Sequence, residues 1–196
     1  DLANRFHAVD LLLDQNYSAR PDVYAPWIDE HCETLLGPRF ALLREAFQVL
    51  PQKVRGEVVR VVVNFGGFDP SAQTHEAMKA LLEYPQLSVD FVAGTDNPAW
   101  QAMQTLVEEH PNWRLHSHVT EFAQMMAEAD LFIGAGGGTT WERAALGLPT
   151  LCIAVAANQQ RNAELLAEAG AHLYLGALTE TTCQQLQQAI GVLIDN

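Results

Sequence analysis

Two glycine-rich stretches and one carboxylate carry the chemistry that this sequence offers. Gly66-Gly67-Phe68-Asp69-Pro70 follows a β-branched run, and Gly134 to Gly138 places four glycines in five positions before Thr139-Thr140. A loop without side chains lets a diphosphate reach backbone N–H groups, and a helix behind it adds about half a positive charge. The same glycines also serve tight turns with no ligand present. Glu142 lies one turn into the helix after the second loop, where its carboxylate could accept two hydrogen bonds from a ribose 2′,3′-diol. Thr139-x-x-Glu142 is equally a capping box, in which Glu142 would bond the Thr139 N–H. Asn158 likewise either caps a helix beginning at Gln159 or turns its amide toward a sugar. Spacing leaves both pairs of readings open.

Other constellations are weaker. Gly134-x-Gly136-x-x-Thr139 approaches the dinucleotide fingerprint but lacks its last small residue and follows the fourth strand rather than the first. The next strand ends at Val155-Ala156-Ala157-Asn158 without the acidic residue that a ribose would need there. No P-loop, HExxH, GxSxG or kinase pattern occurs. His116 and His118 alternate on a strand, yet no third ligand follows at a metal interval. His7, in a polar entry to the first strand, reads as structural rather than as a general base. Cys32, Cys152 and Cys183 are widely spaced with no CxxC, which favours a reducing cytoplasm and no metal site.

These residues need a scaffold, and the pattern from about residue 58 supplies one. Val58 to Asn64, Leu87 to Ala93, Arg114 to His118, Asp130 to Ile133, Thr150 to Val155 and Ala171 to Leu175 read as strands. Helices are expected from Asp69-Pro70 (cap and first position) to Glu83, and from Pro98 to His110. Others run from a Thr120 cap to Glu128, from about Thr139, from Gln159 to Ala169 before Gly170, and from Glu180 to Leu193. Six strand–helix units over ~140 residues predict an α/β domain with a doubly wound parallel sheet. Residues 1–57 offer one strand, Val9 to Leu13, a loop region with Pro21 and Pro26, and a helix from Phe40 to Leu50. They either pack onto the α/β domain or form the end of a preceding α/β domain, with Lys53, Arg55 and Gly56 as connection. The expected division is therefore 1–57 and 58–196.

The composition narrows the partners. The 196 residues hold 11 Lys and Arg against 24 Asp and Glu, a formal charge of −13. That argues against nucleic acid and anionic membrane surfaces, but not against a phosphate held by neutral N–H groups. Hydrophobic residues make up 48% and charged residues 18%, enough for a real core. No apolar run approaches the ~18 residues of a membrane span, and no signal segment opens the chain. Asp1 in place of Met reads as a processed product or a fragment.

Several segments together resemble the UDP-sugar hydrolase family of the pseudaminic acid pathway. They are Asp1 to His7, Leu13-Asp14-Gln15-Asn16, Leu36 to Arg44, Asn64 to Pro70, Gly136 to Glu142 with Gly147-Leu148-Pro149, and Ala157-Asn158-Gln159. The resemblance spans the chain in order, and its Gly-loop and Glu pattern is shared with the peptidoglycan N-acetylglucosaminyltransferase and related GT-B enzymes. It implies a GT-B-like enzyme of two α/β domains, with residues from 58 onward as the C-terminal UDP-sugar-binding domain and a further N-terminal domain as its partner. Carried over residue by residue, Gly66, Gly67 and Gly136, Gly137, Gly138 with Thr139 face the diphosphate, and Glu142 the ribose. Asn158 and Gln159 lie near sugar or phosphate, the Val119 backbone meets the uracil, and Arg44 reaches the cleft. The ligand is UDP or a UDP-sugar, with no cofactor.

The family reaction releases UDP from a 2,4-diacetamido-trideoxy sugar by attack of water at the anomeric carbon. Its general base is a histidine in a GxGH loop of the N-terminal domain. No such motif occurs in these residues, so none of them is assigned the catalytic role. Two other readings stand beside this one. Half of a GT-B glycosyltransferase would pass the sugar to an acceptor, and a non-catalytic module would only bind the UDP-sugar.

Overall fold

The run Val61-Val62-Val63 is wholly buried, as a parallel strand covered on both faces requires. It forms the middle of the sheet in the computed structural model, which describes residues 5–194. Chain order begins with β1 (Leu11–Asp14), α1 (Pro21–Tyr24), β2 (Glu33–Leu36) and α2 (Glu45–Val49). Alternation follows with β3 (Arg60–Asn64), α3 (Gln73–Leu81), β4 (Ser88–Val92), α4 (Trp100–Glu109), β5 (Trp113–His116) and α5 (Phe122–Glu128). It ends with β6 (Leu131–Ala135), α6 (Thr140–Ala145), β7 (Thr150–Ala154), α7 (Ala157–Glu168), β8 (Leu173–Ala177) and α8 (Cys183–Ile194).

Six parallel strands lie in the order β5-β4-β3-β6-β7-β8. This is the doubly wound order in which the winding direction reverses, here between β3 and β6. Val61, Val63, Leu131 and Ile133 point to one face, where Met78 and Leu81 of α3, Met103 of α4 and Ile190 of α8 cover them. Val62 and Phe132 point to the other, against Phe47 of α2, Met126 of α5 and Leu146. The α/β doubly wound fold expected from the strand–helix rhythm is thus present.

Several local expectations change. β2 is a second strand before residue 58, paired in parallel with β1 from Leu11↔Glu33 to Asp14↔Leu36. Its sequence, Glu33-Thr34-Leu35-Leu36, is too short to show a period. The helix expected over Phe40–Leu50 is only α2, because Pro38–Phe40 forms a separate 3-10 turn and Ala41 and Arg44 are extended. α3 begins at Gln73 rather than at Pro70, since Asp69 and Ala72 adopt positive φ and add a turn. Asp69 still serves that helix: its carboxylate accepts the N–H groups of Gln73 and Thr74, the Thr74 hydroxyl and the Asn97 amide. Thr120 is not a cap, because α5 starts two residues later behind Glu121. Gly134 belongs to strand β6, so the second glycine loop is Gly136 to Gly138.

The segment before residue 58 is stitched onto the α/β unit. Lys53 donates to the Glu128 carbonyl and pairs with Asp130 at 2.6 Å. Arg55 donates to the carbonyls of Ala129, Leu146 and Gly147, and the Tyr17 N–H reaches Asn162 at 2.7 Å. Asp1 to Asn4, part of the first resembling segment, lie outside the described residues.

Asp130 makes this stitching sensitive to acid. Burial opposes its ionisation, but the Lys53 ammonium and the N–H groups of Arg60 and Val59 outweigh that and hold its pKa below the ordinary 3.8. A depressed carboxyl stabilises the fold above its unfolded pKa and stops doing so as pH falls through the folded one. Urea unfolding of the native protein and Asp130→Asn should therefore show a gap in stability at pH 7 that closes progressively below pH ~4. A gap that stays constant with pH refutes the assignment.

Candidate functional site

Both glycine loops leave the carboxyl ends of the two strands that flank the reversal, and the space between them is open. A cleft of about 500 Å³ there is lined by Arg44, Gly66, Gly137, Gly138, Thr139 and Glu142, with Gln15, Leu42, Asn64 and Gln159 among its other walls. A smaller recess of about 170 Å³ adjoins it, sharing Gln15, Gly137, Gly138 and Gln159 and adding Gly136, Asn16, Trp141, Asn158 and Asn162. A further cavity of about 550 Å³ opens beside Leu148, Thr150, His172 and Leu173. It lies at the amino ends of β7 and β8, away from both glycine loops, where open α/β sheets do not hold their ligands.

The structure removes one of the two readings of Glu142, the capping box. Thr139 occupies the cap position of α6 without a side-chain cap bond, so the capping box is not formed. Glu142 is 7% exposed, and its Oε1 accepts a 2.6 Å hydrogen bond from Arg44 Nε. That bond raises the Arg44 pKa, against the opposing effect of burial. The guanidinium also rests 4.9 Å from the Phe47 ring centre. Oε2 of Glu142 keeps no partner among the described residues. A carboxylate at the cleft wall with one oxygen engaged and one available can accept a hydroxyl.

Asn158 is not the cap of its helix. α7 begins at Ala157, behind Ala156 in extended conformation, which places Asn158 inside the first turn. Gln159 takes the helix-start duty instead, its Oε1 accepting the Val155 N–H at 3.1 Å. That leaves the Gln159 amide nitrogen on the side of Gly137. Asn162 is 3% exposed, and its Oδ1 accepts the Tyr17 N–H. The recess is thus walled by carboxamides and backbone, a surface suited to neutral hydrogen-bonding groups.

Not every expected residue arrives at the cleft. Gly66, at φ +103°, turns the chain into it, whereas the Gly67 carbonyl accepts the Gly94 N–H at 2.6 Å and Gly67 lines neither opening. Val119 sits between β5 and α5, its side chain packed with the Phe132 cluster, and also lines neither. His7 forms an isolated parallel bridge with Ile28, near the Tyr24 ring, and lines neither opening. His116 bonds the buried Asp90. Gln15 and Asn16 also line the recess, although more than a hundred positions separate them from the loop they face, so spacing along the chain does not mark them. Their one sequence signal is the polar pair directly after an apolar strand, Leu13-Asp14-Gln15-Asn16.

The glycines of β6 and of the loop after it differ in why they are there. A Cβ on Gly134 would lie 2.1 Å from the Asn64 carbonyl oxygen, so the sheet itself requires that glycine. A Cβ on Gly138 would meet nothing within 4 Å, and its backbone lies outside the left-handed region. Gly138→Ala should change stability by less than about 0.5 kcal/mol, while Gly134→Ala should cost about 1–3 kcal/mol. Chemical unfolding of the two variants checks this, and equal losses would contradict it.

Comparison with known proteins agrees with this architecture. Residues 61–196 match the model of the glycosyltransferase family 28 C-terminal domain. The chain is 28% identical over 145 residues to "Spore coat polysaccharide biosynthesis protein SpsG" of Bacillus subtilis, covering 71% of this chain and 43% of that one. It is 26% identical over 165 residues to "UDP-2,4-diacetamido-2,4,6-trideoxy-beta-L-altropyranose hydrolase" of Campylobacter jejuni, covering 84% and 59% respectively. The chain therefore spans about half the length of these curated relatives. Among solved structures, MurG of Acinetobacter baumannii aligns with a TM-score of 0.66 at 18% identity, over 94% of this chain and 57% of that one, a likeness of fold alone. A family model that covers residues 61–196, on a doubly wound parallel sheet, places the chain in the glycosyltransferase family 28 C-terminal domain family.

Proposed function

We propose that this chain binds UDP or a UDP-sugar in the cleft between β3 and β6, as the C-terminal part of a two-domain nucleotide-sugar enzyme. One observation carries the reading. Gly137 and Gly138 line the cleft although neither a left-handed backbone nor close packing requires glycine there. What two bare positions permit is the approach of a ligand's phosphates to the backbone. Glu142 then receives a ribose hydroxyl on its free oxygen, and Asn158 and Gln159 reach the sugar or the phosphates. Gly66 and Thr139 complete the phosphate side, and Arg44 stands at the rim. Gly67 holds the first loop through Gly94. Val119 contributes to the uracil side only if the connection between β5 and α5 shifts.

The whole enzyme, on this reading, is a hydrolase that releases UDP from a 2,4-diacetamido-2,4,6-trideoxy sugar, serving surface-polysaccharide synthesis in the cytoplasm. The resemblance across the chain and the Campylobacter jejuni relative support it. Residues 1–57 are the end of a preceding α/β domain together with the connection. β1 and β2 favour this, because a two-stranded parallel sheet is not stable alone and Leu11 and Leu13 face outward from it. The general base comes from that preceding domain, since the departing diphosphate and the attacking water lie on opposite faces of the sugar. A glycosyltransferase is the second reading, favoured by the family that residues 61–196 match.

Calorimetry tests the binding half. UDP should bind this chain, and Gly138→Val should weaken it by about tenfold or more while leaving the fold intact. Glu142→Ala should weaken UDP more than inorganic pyrophosphate, because pyrophosphate has no ribose. A folded protein that ignores millimolar UDP would end the proposal. Incubating the full-length gene product with the UDP-linked diacetamido sugar alone separates the two reactions. Free sugar and UDP in equal amounts indicate hydrolysis, and no turnover without an added acceptor indicates transfer.

A further inference from the structure

Arg143 follows Glu142 in α6, and the binding just proposed does not use it. It is 2% exposed, and among the described residues its hydrogen-bond partners are all neutral. One guanidinium nitrogen donates to the Ala135 carbonyl at 2.9 Å and approaches the Thr139 hydroxyl at 3.4 Å, while the other donates to the Thr140 hydroxyl at 3.0 Å. The guanidinium carbon lies 4.8 Å from the Phe132 ring centre. The adjacent carboxylate, Glu142, is engaged by Arg44 instead.

A buried cation without a paired anion is costly, so its retention needs a reason. Its partners indicate one. Ala135 is the last residue before the Gly136–Gly138 loop, and Thr139 and Thr140 are the first after it. The side chain therefore clasps both ends of the loop from inside the protein. Gly137, Gly138 and Thr139 line the cleft on the loop's outer side. Burial lowers the Arg143 pKa to about 10, which leaves the charge in place at neutral pH.

We propose that Arg143 is a positioning residue for anion binding: it fixes the Gly136–Gly138 loop from behind and supplies, through it, a positive charge that a diphosphate bound on the outer side compensates. This rests on the nucleotide-sugar reading for the identity of the ligand, though the device itself requires only an anion. In a chain of net charge −13, a cation this deeply buried, although it borders the cavity beside Leu148 and His172, acts at short range where salt screens it little. It also offers no side chain that a product must be released from.

The test compares UDP, inorganic pyrophosphate and uridine on the wild-type chain, Arg143→Met and Arg143→Lys, with thermal unfolding recorded for each. Arg143→Met should weaken UDP and pyrophosphate by about tenfold and uridine by less than about twofold. Arg143→Lys, which keeps the charge but not the planar fork, should recover most of that loss. If Arg143→Met does not fold, Arg143→Gln, neutral but polar, carries the same expectation. Equal weakening of UDP and uridine, or no recovery with lysine, would show a purely structural arginine and overturn the proposal. Wild-type protein that binds pyrophosphate but not UDP would refute the nucleotide reading and leave this one to be decided by the pyrophosphate ratios. Binding of neither ligand overturns both.

Discussion

The pairing of β3 with β6 is the contact on which the rest of the molecule depends. It is where the winding of the sheet reverses, so the connections on either side lead away from each other and leave an opening at the carboxyl ends. The pairing is tight. The Asn64 carbonyl oxygen lies 2.1 Å from where a Cβ of residue 134 would be, an approach that only glycine allows. From this one seam both loops emerge, Gly66-Gly67 after β3 and Gly136 to Gly138 after β6. The cleft is therefore a consequence of strand order before it is a matter of any side chain.

In a chain of charge −13, much of the positive charge near the cleft is already committed to holding the fold. Lys53 and Arg55 hold the connecting segment to the α/β unit, and Arg60 joins Asp90 and Glu128 within the sheet layer. Arg44 is tied to Glu142, although it is 59% exposed. Arg143 is sealed behind the second loop. None of these is a mobile surface lysine waiting for a phosphate. The walls of the cleft and its recess are largely backbone and carboxamide side chains, whose donors are neutral.

The same economy explains the helix starts around the cleft. Asp69 caps α3 from a turn earlier, and Gln159 caps the chain entering α7 with its carbonyl oxygen. Glu142 does not cap α6 at all. Capping residues were thus placed at about the right points in the sequence, but the partner each one takes depends on backbone turns that residue types do not specify. Asp69 and Ala72, with positive φ, are such turns.

The sequence by itself determined the six strand–helix units from residue 58 onward, because the central strands carry apolar runs such as Val61-Val62-Val63 and Leu131-Phe132-Ile133 and the units recur at regular intervals. It also determined which loops lack side chains, since glycine is legible directly. It missed β2, whose four residues show no period, and it stretched α2 across a 3-10 turn and an extended segment. Only the tertiary structure decided which residues share the cleft. Gln15 and Asn16 face Gly137 and Asn158 across more than a hundred residues of chain, and Arg44 meets Glu142 across 98. The physical reason is the same in each case. Periodicity records what an element buries against its own neighbours, whereas a site at the reversal of a sheet is assembled from strand ends whose adjacency is set by packing.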